Sequence, residues 1–304
     1  MSDSKKTKFI FYQGGNNTRI GNTLVWLESA YSWCNDNGFS FLFPQVENVF
    51  SNVLDRNAEL FQDSIGSFGA SSVNPILELL KGVPQKLDSL LIESEPGIHL
   101  CEIMSDSLLY IDFKGREWNP SPELIDYFSR FDTIFVNEPF PFLTGKRSFK
   151  LLKLSPIAMR YIEKLESDYN NSLISVHIRQ GDYKRWNGGK YYRDDRFYNE
   201  LIANLSKKFP EMSVKFMHNG EFTADSNNLN LAADFDKNNL LTGEMSDFLA
   251  IATSNVIVGP LSTFTAQARN IGRNYLGKEP KLIVIEPEDN ISSLLDKVKG
   301  AFKI

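Results

Sequence analysis

The chain is poor in cysteine and histidine and has no long apolar run, and each shortage removes a class of protein. Only 2 cysteines, Cys34 and Cys101, occur among 304 residues, with no CxxC pair and 3 histidines. Neither a disulfide framework nor a zinc cluster can be assembled from that set, and a reducing compartment is expected. No segment approaches the ~20 consecutive apolar residues that span a bilayer. The opening Met1 to Lys8 is polar and basic and lacks an apolar signal core, so the expected location is the cytoplasm, without a transmembrane segment. Positive charge is also not in excess: 33 Lys and Arg against 38 Asp and Glu give a net charge of -5. A nucleic-acid surface is therefore not expected as the main partner, and a charged substrate would need locally placed arginines. The GxGxxG fingerprint of dinucleotide binding is missing, which argues against a nicotinamide or methyl-donor enzyme. No DxD-type acidic pair stands at a convincing strand end, so no metal is expected to neutralise a diphosphate.

What is present is alternation of strands and helices. Lys8 to Tyr12 reads as a strand, Gly14 and Gly15 open a loop, Gly21 to Asn35 has helical periodicity, and Phe39 to Phe43 gives a second strand. The region from Gln45 to Pro96 holds apolar helical pieces between Gly, Pro and Ser punctuation. Ser107 to Phe113 and Thr133 to Val136 read as strands, and Pro156 to Tyr169 as a helix that ends the first half. From Leu173 the pattern is regular. Strands at Leu173 to Ile178, Ser213 to Met217, Asn255 to Val258 and Lys281 to Ile285 alternate with helices at Asp194 to Phe209, Glu244 to Thr253, Ser262 to Ile271 and from Ile291. Such alternation predicts a parallel sheet with helices on both faces. A boundary near Asn170 gives domains of residues 1–170 and 171–304.

Three segments can carry chemistry. The loop Gly14 to Asn22 lies between the first strand and its helix, where ligands of open α/β sheets bind, and places Arg19, Gly21 and Asn22 there; a turn with a surface Arg19 and a capping Asn22 is the plain alternative. His177 to Tyr183 leaves an apolar strand for a Gly-Asp turn, so Arg179 emerges at the strand end. An arginine there can grip a diphosphate and stabilise the charge that grows on it as a glycosidic bond breaks. His177 shares its side of the strand by alternation. Alternatively, Arg179 pairs with Asp182 and His177 is an interior histidine. Val256 to Thr265 reads as strand, Gly-Pro turn and a Ser262-Thr263 helix start, either an anion site or an ordinary cap.

Together these segments resemble the fucosyltransferase superfamily that contains the protein O-fucosyltransferases, the α1,2-fucosyltransferases and the α1,6-fucosyltransferases. Arg19-Ile20-Gly21-Asn22 with Phe41-Leu42-Phe43-Pro44 is similar to the opening of the protein O-fucosyltransferases. His177-Ile178-Arg179-Gln180-Gly181-Asp182-Tyr183 is similar to the α1,2 version of the arginine motif, with Gln180 where a second arginine usually stands. Asp247 to Ala252, Val256 to Gly259 and Ser262-Thr263-Phe264 resemble a further protein O-fucosyltransferase segment. The resemblance implies an α/β, GT-B-like fold of two Rossmann-like domains facing across a cleft, the first on the acceptor side and the second holding the donor. It implies GDP-fucose as donor, inversion at the anomeric carbon, a glycan or other hydroxyl acceptor, and no cofactor or essential metal. By the same likeness Arg179 contacts the β-phosphate, while Ser262, Thr263 and Phe264 hold the phosphates and the sugar end. Arg19 and Asn22 line the donor and acceptor cleft, and His218 and Asn219 lie where the nucleoside approaches. Asp182 is the first candidate base, with Asp194 and Asp195 behind it; Asp182 alternatively fixes the turn, and Asp247 is either a helix cap or a site residue. A transferase using another GDP-sugar, or a non-catalytic binder on the same fold, shares these motifs.

Overall fold

The computed structural model describes residues 6–12, 20–42, 85–86, 98–105, 107–113, 120–137, 154–170, 172–219, 222–231, 241 and 243–302. By contacts the chain divides into Met1–Lys153 and Leu154–Ile304.

In the first unit, β1 (Lys8–Tyr12) leads to α1 (Ile20–Asp36) and β2 (Ser40–Leu42). There follow β3 (Gln85–Lys86), β4 (Ile98–Ser105), β5 (Leu108–Phe113), α2 (Pro122–Phe128) and β6 (Thr133–Asn137). The sheet order is β2-β1-β6-β5-β4-β3. β2, β1, β6 and β5 are parallel, but β4 runs antiparallel to β5 and β3 antiparallel to β4. Ser105 pairs with Leu108, and a connection that short can join only antiparallel strands. Phe9 is the centre of the core, with Trp33 and Phe128 edge-on at 5.2 and 5.6 Å. The helix α2 was not foreseen, although it carries its own start signal. Ser121 accepts a hydrogen bond from the Leu124 N–H at 3.2 Å, and Pro122 follows it.

The second unit begins with α3 (Pro156–Tyr169), which the sequence placed at the end of the first half. Its buried stripe of Ala158, Tyr161, Ile162 and Leu165 packs within this unit. The Tyr161 hydroxyl donates to the Ser246 carbonyl, and Glu166 pairs with Lys278 at 2.9 Å. Then come β7 (Leu173–Arg179), α4 (Asp195–Lys208), β8 (Ser213–Asn219), α5 (Gly243–Thr253), β9 (Val256–Gly259), α6 (Thr263–Tyr275), β10 (Lys281–Val284) and α7 (Ile291–Ala301). All four strands are parallel, in the order β10-β9-β7-β8.

That order positions the site. The chain moves from β7 to β8 on one side, then crosses back to lay β9 on the other. The reversal leaves a crevice outside the carboxyl ends of β7 and β9, which end at Arg179 and Gly259. The faces of β7 are chemically distinct. Ile174, Val176 and Ile178 join Tyr198, Leu201, Ile202 and Leu205 of α4 and Leu294 and Val298 of α7 in one apolar core. The other face carries Ser175, His177 and Arg179; the Ser175 hydroxyl meets Ser254, just past α5, at 2.5 Å, and the His177 ring stacks on Phe264 of α6 at 5.2 Å.

Candidate active site

Arg179 is the hub. Its Nε and Nη2 donate to the two carboxylate oxygens of Asp182 at 3.2 and 2.8 Å, and its Nη1 donates to the Ser262 Oγ at 3.3 Å. The guanidinium lies over the Tyr183 ring, 4.7 Å from its centroid, and the Tyr183 hydroxyl donates to the Leu261 carbonyl. The loop after β7 is thereby fastened to the turn after β9, although the two are about eighty residues apart in sequence. Arg179 thus pairs with Asp182, the plain alternative, and the same guanidinium also reaches the start of α6.

Ser262 is buried and is the N-cap of α6, accepting from the Phe264 N–H at 3.2 Å. Thr263 is exposed at the first turn, where N–H groups have no helical partner. Phe264 is buried between His177 and Phe248, the latter at 5.3 Å. His177 itself is buried and packs on Phe264, in keeping with the interior alternative. Gly259 suits this close approach, since a Cβ would lie 3.0 Å from the His177 carbonyl oxygen and 3.2 Å from its Cβ.

The other acidic candidates have structural partners. Asp194 is the N-cap of α4, accepting from the Phe197 N–H at 2.9 Å. Asp195 accepts from Gln180 Nε2 at 2.6 Å and from the Thr223 N–H at 3.2 Å. These bonds explain Gln180, which is buried and also donates to the Arg193 carbonyl at 3.2 Å. A neutral amide at this position ties the loop to the start of α4. The aspartate at 182 is likewise engaged, by Arg179, in the way foreseen for a turn carboxylate.

Asp247 lies inside the first turns of α5, which begins at Gly243, so it is not a cap. Its carboxyl is half-buried, and burial, followed by the negative charge of Glu244 one turn earlier, pushes its pKa up to about 7. A carboxyl whose folded pKa is raised favours the folded state below its unfolded value near 3.8, and that contribution is lost as pH rises to about 7. Asp247→Asn is therefore expected to flatten the fall in melting temperature between pH 4 and 7 and to melt above the parent at pH 8, read by thermal denaturation across that range. An unchanged pH profile would mean that the carboxyl titrates normally.

His218 and Asn219 end β8, in register with Ile178 and Arg179. The His218 ring is exposed, with Phe222 at 5.8 Å. Gly21 and Asn22 belong to the first turn of α1 in the first unit, Gly21 buried and Asn22 exposed, whereas Arg19 and the rest of the glycine loop lie outside the described residues. Among the described residues no group of three or more His, Cys, Asp or Glu could hold a metal ion, and no helix is long and apolar enough to cross a membrane.

The two α/β units define the class: the fold is GT-B-like. Among solved structures the chain is similar to POFUT1 in complex with GDP, with a TM-score of 0.58 and 12% identity over 93% of this chain and 99% of that one. POFUT1 in complex with GDP-fucose gives 0.55 and 12% over 93% and 99%. A mutant of Arabidopsis thaliana FUT1 in complex with GDP gives 0.53 and 10% over 93% and 71%. No family model and no curated protein matches the sequence. At these identities the likeness is one of fold, and the fold expected from the motifs is borne out.

Proposed function

We propose that the chain is a glycosyltransferase that takes fucose from GDP-fucose and passes it, with inversion, to a hydroxyl of a glycan or other acceptor. The observation that carries this reading is the Arg179 to Ser262 contact at the switch point. A fixed cation and a helix N-terminus converge there, the combination that a terminal diphosphate requires. The fold shared with POFUT1, whose structures contain GDP and GDP-fucose, supports the donor.

Arg179 and the first N–H groups of α6 would hold the diphosphate and take up the charge that accumulates as the bond from fucose C1 to the β-phosphate oxygen breaks. The acceptor oxygen bonds C1 from the opposite face and gives up its proton. Asp182 serves to aim the guanidinium, since an ion-paired carboxylate is a poor base. Asp247, with a pKa near 7, has the basicity a proton acceptor needs at neutral pH, and its neighbour Phe248 packs on Phe264 beside the Arg179 site. Ser262, Thr263 and Phe264 complete the donor end, with His177 behind Phe264 and His218 and Asn219 toward the nucleoside. The chemistry asked of these residues includes no metal.

Calorimetric titration with GDP and GDP-fucose in EDTA, together with GDP release, tests the reading. Binding of both and slow release of GDP from GDP-fucose are expected. Binding without any turnover makes the chain a nucleotide-sugar binder, faster turnover of another GDP-sugar changes the donor, and absence of binding ends the proposal.

A further inference from the structure

From Asp182, at the end of the arginine motif, the chain winds into a tight loop that leaves an indole partly in solvent. Two short 3-10 turns, Asp182–Lys184 and Trp186–Gly189, are closed by hydrogen bonds from Lys184 N–H to Gln180, Arg185 N–H to Asp182, Lys190 N–H to Asn187 and Tyr192 N–H to Gly189. Asn187 adopts a left-handed backbone at φ 50°, and Gly188 and Gly189 follow at 68° and 75°. At Gly189 a Cβ would sit 3.0 Å from the Lys184 carbonyl oxygen, so the winding depends on glycine. Trp186 is 42% exposed at the tip of this closed structure.

Two tyrosine rings support it. Tyr183 lies 4.9 Å from Trp186 with planes 31° apart, and Tyr191 lies 5.5 Å away at 37°. Arg179 sits over the Tyr183 ring, and the Lys190 ammonium lies 5.6 Å from the centre of Tyr191. The exposed neighbours of Trp186 in the loop, Lys184, Arg185, Asn187 and Lys190, can all donate hydrogen bonds, while the exposed Asp182 is held by Arg179. A flat aromatic surface rimmed by donors suits a ligand with an apolar face of C–H groups and an edge of oxygen acceptors, which is the chemistry of a pyranose ring. It suits a peptide less, because no groove or free strand edge accompanies it on this loop.

We propose that Trp186, backed by Tyr183 and Tyr191, is a stacking platform for a pyranose ring, so that the acceptor presented to the Arg179 site is a saccharide. This rests on the donor reading above only in naming the ligand an acceptor. The loop order follows from it: the residues that grip the leaving diphosphate and those that seat the incoming sugar are consecutive, and Tyr183 belongs to both sets.

The test is saturation-transfer NMR from the protein to methyl β-galactoside, methyl β-glucoside, methyl α-mannoside, methyl β-N-acetylglucosaminide and a serine-containing peptide. The parent, Trp186→Phe and Trp186→Leu are compared, with GDP affinity measured on each. Leucine keeps apolar bulk but has no aromatic face, and phenylalanine keeps the face. The expected result is saturation of ring C–H protons on at least one glycoside, at least fivefold weaker with Trp186→Leu and at least half retained with Trp186→Phe, while GDP affinity stays within twofold. The proposal is overturned if no glycoside is saturated by the parent, if Trp186→Leu binds glycoside like the parent, or if only the peptide receives saturation. Glycoside stacking in a protein that fails to bind GDP would keep the platform and remove the donor site, so the two readings fail separately.

Discussion

Replacing Arg179 by alanine is expected to weaken GDP binding by roughly ten- to a hundredfold, the ~1.5 to 3 kcal/mol of a hydrogen bond to a charged group. Turnover of GDP-fucose should fall further, by about 10²- to 10³-fold, because the lost charge matters most when the diphosphate departs. Stability should hardly change. The Arg179 side chain is 14% exposed, but the Asp182 carboxylate left behind is 42% exposed and remains hydrated, so losing the pair is expected to cost no more than about 1 kcal/mol. The loop keeps its Tyr183 to Leu261 and Gln180 to Asp195 ties. Arg179→Lys should fall between the two, since one ammonium cannot fork to Asp182 while reaching Ser262. Calorimetry with GDP and a parallel thermal melt separate the cases: equal GDP affinity in parent and alanine variant would remove Arg179 from the donor site, and a large drop in melting temperature would make it a structural residue.

The second large effect is expected at a position remote from any charge. A Cβ on Gly272 of α6 would lie 2.4 Å from the Ala252 carbonyl oxygen of α5 and 2.8 Å from Pro280 Cγ. Neither a helical carbonyl nor a proline ring can swing away, so α5 and α6 must separate. Overpacking of this kind costs about 1 to 3 kcal/mol, which for a unit of this size lowers the melting temperature by roughly 2 to 4 °C per kcal/mol. The same helix pair sets the Phe248 to Phe264 contact and the aim of Ser262, so GDP affinity should drop with stability in Gly272→Ala. Gly300 in α7 has open space around its Cβ position, and Gly300→Ala should be neutral or slightly stabilising, as alanine favours a helix over glycine by ~1 kcal/mol. Equal melting temperatures for the two variants would show that α5 and α6 do not cross as closely as described.

Much of the second unit was legible from the sequence because its signals are local. Alternating apolar strands and amphipathic helices fixed the element types from Leu173 onward, and a polar residue at the end of an apolar strand marked Arg179 as facing outward. The cap at Ser262 was equally readable, whereas Asp194, read as a candidate base, proves to be the N-cap of α4. In the first unit the antiparallel β3 and β4 were missed, since strand direction depends on a partner rather than on composition. Tyr183 and Gln180 stood inside the quoted motif, yet their roles were invisible there: one reaches Leu261 and the other reaches Asp195.

By itself the sequence determined that the chain alternates strands and helices and that an arginine and a Ser-Thr helix start stand at strand ends. Those conclusions need only neighbouring residues, because periodicity, capping and composition act over a few positions. The tertiary structure alone decided that β9 returns to lie beside β7, which brings Ser262 to Arg179, turns Asp194 and Asp195 into struts, and buries Asp247 enough to raise its pKa to about 7. Strand order, desolvation and side-chain pairing are properties of groups far apart in the chain, and they exist only once the sheet has formed.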